Sequence, residues 1–292
     1  MICQRSSEGH KRETMKSKGT LWIAGLVLGL TAFFPSAVSF ERIARMTITA
    51  SPASFASVNG IDMYYRVVGK GSPILLIHGG LSDQHVWDAQ LPILAQHHTV
   101  IVADSRGQGR STRTNEPLTY ELMADDYVAL LDYLKIDKVD LVGWSDGGII
   151  GLIMAMRYPD RLKSVFAQAA NVSPEGSTGY ALARAEGKPV PELRHYESID
   201  KEIHALWANE PNYSADDLSK INVRTAIVIG DRDTAITREH TEFIAHHIPG
   251  ASLIILPDSG HGVPAENPRL YAHAVLKFIA GDEQVDPKTA SK

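Results

Sequence analysis

Three short stretches of this chain carry residues that, if brought together, could perform nucleophilic chemistry. In "VDLVGWSDGGIIG", from Val139 to Gly151, Ser145 and Asp146 stand side by side, and either could be a nucleophile. A sharp strand-to-helix turn strains its central residue and needs small residues two before and two after it. Around Ser145 these are Gly143 and Gly147; around Asp146 they would be Trp144 and Gly148, and a Trp is too large. Ser145 is therefore the expected nucleophile. A serine needs a base within hydrogen-bond reach, and that base needs an acid to orient it.

Of the twelve histidines, His97-His98 and His246-His247 lie at or near expected helix ends and read as surface or capping residues. His261, in "LPDSGHGV", follows the last expected strand in a glycine-flanked loop and is the expected base. "IVIGDRDTAI" offers two acids, Asp231 and Asp233. Asp233 lies further into the loop and is favoured, which leaves Asp231 to hydrogen-bond the turn. Asp258 is too near His261 in sequence to orient it easily and is expected to cap its loop.

An oxyanion formed at Ser145 would need two N–H donors. One is expected from the amide of Asp146, at the start of a helix whose dipole favours negative charge. The other is expected from "HGGLSD", with Gly80 first and Leu81 second, His78 bracing the loop. Trp144 and Leu81 are expected substrate contacts. No His-x-His or H-E-x-x-H pattern occurs, so no metal is expected. "GQG" at Gly107 lacks the rest of a dinucleotide fingerprint, and no cofactor is expected.

The elements that must position these residues follow from periodicity. "SFASVNGIDMYYRVVGKGSP" reads as two strands joined at Asn59-Gly60, a dipeptide favoured in type I′ hairpins. "PILLIHGG", "HTVIVADSRGQGRS" and "KVDLVGWS" are short apolar runs ending in polar or glycine-rich loops, as strands buried on both faces should be. Apolar residues at helical spacing follow Thr119, which can serve as an N-cap, and "GGIIGLIMAMRYP" reads as a helix ended by Pro159. "LKSVFAQAA", "VRTAIVIG" and "ASLIILPDSG" are further strands, with helices at "REHTEFIAHHI" and "PRLYAHAVLKFIA". Such alternation implies an α/β fold: a mostly parallel eight-stranded sheet with helices on both faces. Residues 54–170 and 223–281 form the expected core. Residues 171–222 break the rhythm and read as a small helical cap, and 282–292 as a flexible tail.

Residues 1–39 read differently. From Met15, a possible true start, two lysines precede an apolar run from Leu21 to Phe34, followed by Pro35 and Ala37-Val38-Ser39. This describes a secretory signal peptide, with an uncleaved anchor as the alternative and 40–53 as a linker. A periplasmic or secreted protein is expected. The single cysteine, Cys3, lies in this leader. Composition is that of an ordinary globular domain, with 292 residues, 44% hydrophobic and 22% charged, and a net charge of −5 without a basic block in the expected domain. Nucleic-acid binding is not expected.

Taken in order, "HGG", "DSRGQGRS", "GWSDGG", "GDRD" and "GH" resemble the α/β-hydrolase superfamily from about Ser54 to Ala280. The resemblance implies a triad of Ser145, Asp233 and His261. "GWSDGG" with a helix ending in "YP" is similar to the biphenyl-hydrolase-like group, including valacyclovirase-type esterases. In that group the Asp after the nucleophile receives the substrate's ammonium, which implies an amino-bearing ester held by Asp146. The bland alternative is a first-turn acid favoured by the helix dipole. A mildly acidic cap leans towards the cationic substrate. The overall expectation is a serine hydrolase of small carboxylic esters or lactones. C–C bond hydrolysis, perhydrolysis (haloperoxidase-type) and a slow-turnover ligand-binding receptor are the rivals.

Overall fold

A computed structural model describes residues 53–282. The leader, the first part of the linker and most of the tail therefore lie outside the described residues. Strands β1 (Ser54–Val58) and β2 (Ile61–Gly69) form a hairpin around Asn59 and Gly60, whose φ values of 44° and 76° are those a type I′ turn demands. Next come β3 (Ser72–Ile77), a short α1 (Leu91–Leu94), β4 (His98–Ala103), α2 (Tyr120–Tyr133), β5 (Val139–Trp144), α3 (Asp146–Arg157) and β6 (Leu162–Gln168). Thr119 caps α2 by accepting the Leu122 N–H. Between β6 and β7 (Arg224–Gly230) the chain runs through α4 (Thr178–Ala185), α5 (Ile199–Asn209) and α6 (Ala215–Leu218). The described residues close with α7 (Arg238–His247), β8 (Ser252–Leu256), α8 (Val263–Glu266) and α9 (Pro268–Ala280). Among the described residues no helix is long and apolar enough to cross a membrane.

The eight strands pair in the order β1-β2-β4-β3-β5-β6-β7-β8, parallel from β4 to β8 and antiparallel at β1 and β2. Successive side chains alternate between two buried faces, as strands covered on both sides require. Leu75, Ile77, Leu141 and Val165 pack with α2 and α3, whereas Ile74, Leu76, Val142 and Phe166 pack with Trp87, Tyr271 and Phe278 on the opposite face. This is why the central strands read as continuous apolar runs.

The order reverses between β3 and β5, since β4 lies on one side of β3 and β5 on the other. At such a switch point the loops leaving neighbouring strands diverge and open a crevice. "HGGLSD" leaves β3 there and Ser145 leaves β5. Two buried carboxylates hold the surrounding loops. Asp104 accepts the N–H groups of Gln84 and Arg110 at 2.9 and 2.8 Å. Asp126 on α2 makes a two-point pair with Arg106 at 2.6 and 2.7 Å, both side chains 1% exposed. α5 is fastened to the core by Glu202, a fully buried carboxylate that accepts the Leu118 N–H at 3.0 Å and pairs with Arg113.

Candidate active site

Ser145 occupies the turn between β5 and α3 with φ 54° and ψ −118°, a conformation costly for any residue with a Cβ. The turn closes because its flanking residues are glycines. A Cβ on Gly143 would stand 2.1 Å from the Gly147 carbonyl oxygen, and one on Gly147 would stand 2.1 Å from that of Ile77. The Ser145 N–H donates to the Gln168 carbonyl at 2.8 Å, which anchors the turn to β6. Its hydroxyl is thereby held at the sheet's C-terminal edge.

His261 arrives from the loop after β8. Its Nε2 lies 3.1 Å from Ser145 Oγ, and its Nδ1 lies 3.0 and 3.2 Å from the two oxygens of Asp233. With the Nδ1 proton donated to a carboxylate, Nε2 carries the lone pair that accepts the serine hydroxyl. The Asp233 side chain is fully buried, and its Oδ1 also accepts the N–H groups of Ala235 and Ile236 at 2.8 and 3.0 Å. Asp231 is elsewhere: exposed, it accepts the Ser259 N–H at 3.0 Å, and that donor, with the backbone N–H of Asp258, lowers its pKa. Asp258 pairs with Arg232 at the surface.

The expected oxyanion donors lie on either side of Ser145. The Asp146 amide is the first of α3 and, like any N1 amide, has no carbonyl within its own helix to meet. Among the described residues the Gly80 amide donates no hydrogen bond. The Leu81 amide is already engaged, donating to Gln108 Oε1 at 2.7 Å. His78 lies beneath this loop, 1% exposed. Its Nδ1 faces the Gly79 carbonyl at 2.7 Å and its Nε2 accepts the Ser105 N–H at 2.9 Å. Burial lowers its pKa, consistent with a neutral ring that donates from Nδ1.

A cavity of about 130 Å³ opens on Ser145 and His261, bounded by Asp146, Asn171, Ser177, Trp207, Ala235 and Ile236. Leu81 is not among its walls and lines a separate cavity with Asp83, Gln108 and Ile199. Trp144 stands behind it: its indole N–H donates to the His261 carbonyl at 2.9 Å, and the two rings are 6.0 Å apart. Gln168 supports the same carbonyl at 3.3 Å.

Sequence reasoning missed Trp207. It comes from α5, and its indole N–H lies 2.9 and 3.1 Å from the two Asp146 oxygens. The buried Tyr120 hydroxyl lies beside the same carboxylate without closing a full hydrogen bond. Asp146 is 4% exposed, and burial raises its pKa from 3.8 to about 6, against the opposing pull of the Trp207 indole. Gly80 packs against this pair so closely that a Cβ would stand 2.4 Å from Asp146 Oδ2 and 2.7 Å from the Trp207 ring. No local pattern marks Trp207, which is 61 residues from Asp146 in sequence.

The family model for the α/β hydrolase fold matches residues 72–190. A mouse protein, serine hydrolase BPHL, is 30% identical over 239 residues, covering 74% of this chain and 82% of its own. This chain belongs to the α/β-hydrolase family. Among solved structures, the enol-lactonase from Burkholderia xenovorans LB400 superposes on this hydrolase with a TM-score of 0.66 at 25% identity, covering 77% of this chain and 99% of its own. The 2-hydroxy-6-oxo-2,4-heptadienoate hydrolase of Pseudomonas putida is 26% identical over 276 residues, covering 81% of this chain and 99% of its own. The names of these relatives share no substrate, so the family and the hydrolase class are common ground and the substrate is not.

Proposed function

We propose that this hydrolase cleaves small carboxylic esters or lactones through an acyl-enzyme at Ser145. The contact that carries the reading is Ser145 Oγ to His261 Nε2 at 3.1 Å, with Asp233 behind the ring. Ser145 Oγ attacks the carbonyl carbon as its proton passes to His261 Nε2. The amides of Asp146 and Gly80 receive the negative charge on the carbonyl oxygen, and Asp233 steadies the imidazolium. The C–O bond to the alcohol then breaks and His261 gives that oxygen the proton. Water, losing its proton to the same nitrogen, frees the acid and restores Ser145. A lactone leaves its alcohol tethered to the acyl group, and the steps are unchanged.

Turnover of p-nitrophenyl acetate and butyrate by wild type and Ser145→Ala tests this reading. The variant should lose on the order of 10⁴–10⁶ in kcat, and comparable rates would remove Ser145 from the chemistry. The Pseudomonas relative's name supports a second reading, hydrolysis of a C–C bond, which the same triad can serve. A vinylogous diketone turned over faster than any ester or lactone would favour it. The amino-bearing ester rests on resemblance alone, and an ammonium reaching Asp146 would have to displace the Trp207 indole. Export rests on the leader pattern alone; a mature N-terminus found near residue 40 in the periplasm or medium would support it.

A further inference from the structure

A second cavity, of about 570 Å³, opens beneath the α4–α5 segment. Ser177, Trp207 and Ala235 border both it and the smaller chamber at Ser145, so the two adjoin along a shared wall. Its floor belongs to the same loop that carries the triad acid. Thr178 donates its N–H to the Ala235 carbonyl at 3.0 Å and its hydroxyl to that of Thr234 at 2.6 Å, which ties the start of α4 to the loop after β7.

The remaining walls are largely apolar and small. Gly179, Ala183 and Ala208 give the cavity its width, and Tyr180, Pro189 and Pro191 enclose it. No acidic side chain lines it, although the cap segment as a whole is mildly acidic. Its two basic residues already have partners: Lys188 pairs with Glu186 at 2.7 Å, and His204 Nδ1 faces the Asp200 carbonyl at 2.7 Å with its ring edge-on to Trp207. Such a chamber gains most by covering hydrocarbon.

The two halves of an ester can be assigned to the two chambers. His261 must reach the leaving oxygen to protonate it, and His261 lines only the smaller chamber. The larger one is therefore left for the acyl side. We propose that this chamber holds an unbranched apolar acyl chain and that Trp207, the shared wall, sets how that chain passes from the reacting carbonyl. This rests on the serine-hydrolase reading above and names its substrate class: neutral esters or lactones with a medium-length acyl chain.

The test is a p-nitrophenyl ester series from acetate to laurate, run on wild type, Ala183→Phe and Ala208→Phe. Wild-type kcat/KM should rise with chain length and exceed the acetate value by about tenfold or more at octanoate. The phenylalanine variants should lose about tenfold or more on octanoate while keeping acetate within about threefold. As a measurement free of substitutions, n-alkyl boronic acids should inhibit wild-type acetate hydrolysis more tightly by up to about fourfold per added methylene. Ser145-dependent acetate turnover with a flat chain-length profile and flat boronate inhibition would overturn this proposal alone. Acetate turnover that does not depend on Ser145 would overturn the reading beneath it.

Discussion

The indole N–H of Trp207 caps both oxygens of the Asp146 carboxylate, at 2.9 and 3.1 Å. One residue belongs to α5 and the other is the residue next to the nucleophile. The contact therefore joins the helical segment over the sheet directly to the turn that presents Ser145, and it gives a polar group buried at 4% exposure its donor.

Because that carboxylate is engaged, Asp146→Asn should change KM for aminoacyl esters and for neutral esters by the same factor. Steady-state kinetics on matched pairs, such as valyl and isovaleryl esters of one alcohol, checks this. A rise confined to the aminoacyl ester would restore Asp146 as an ammonium receptor.

The same burial has a consequence for stability against pH. Asp146 titrates at about 6 when folded and near 3.8 when unfolded, so the folded chain binds the extra proton between these values. Stability contributed by this group is present below about pH 4 and is lost as pH rises through 6. Urea unfolding of Asp146→Asn against wild type should show the variant gaining relative stability across that window, by at most about 3 kcal/mol. Glu210, which accepts the Tyr120 N–H and is pushed up to about 7 by burial, acts in the same direction up to neutral pH. A double variant with Glu210→Gln should therefore flatten the profile further.

The two acids after β7 should separate cleanly. Asp233→Asn leaves His261 without the anion that fixes its tautomer, and kcat for p-nitrophenyl acetate should fall on the order of 10⁴-fold. Asp231→Asn keeps an oxygen that can accept the Ser259 N–H and removes only the charge, so it should leave kcat within about threefold, with a stability loss of at most about 1 kcal/mol. Equal losses in kcat would mean that the loop, rather than the His261 contact, limits turnover.

At Gly80 the expected outcome is mechanical. Gly80→Ala forces a methyl group against Asp146 Oδ2 and the Trp207 ring, so the oxyanion loop or α5 must shift. A kcat loss on the order of 10²–10³ is expected, as when an oxyanion donor is misplaced. Trp207→Phe alone keeps the ring but loses the indole donor, and thermal unfolding should show a cost of about 1–3 kcal/mol. Gly80→Ala should also lower thermal stability, and in the double variant the two stability losses should not add, because both act on one contact.

Much of the architecture was legible because it is local. β5 and α3 are apolar runs of different period, and the turn between them needs glycines at two fixed positions, so Ser145 stands out from Asp146 within a dozen residues. The loops ending β7 and β8 likewise place Asp233 and His261 by their glycines and chain order. What could not be read depends on contacts between distant segments. Trp207 looks like any apolar residue on a helix until the fold sets it on Asp146. Leu81 looked like a site residue by adjacency, yet Gln108 takes its amide and its side chain belongs to another cavity. The cap is mildly acidic in sequence, yet only the fold shows that none of its carboxylates lines the larger chamber.

Trp144 links two machine parts that the sheet keeps apart. It ends β5, and the carbonyl its indole holds belongs to His261 in the loop beyond β8, with β6 and β7 standing between these strands in the sheet. Twisting or breathing of the sheet would ordinarily vary the gap between nucleophile and base. The hydrogen bond from the residue preceding Ser145 to the carbonyl of the base spans that gap without passing through β6 or β7. The brace is thus placed where it would hold the proton-transfer distance against such motions.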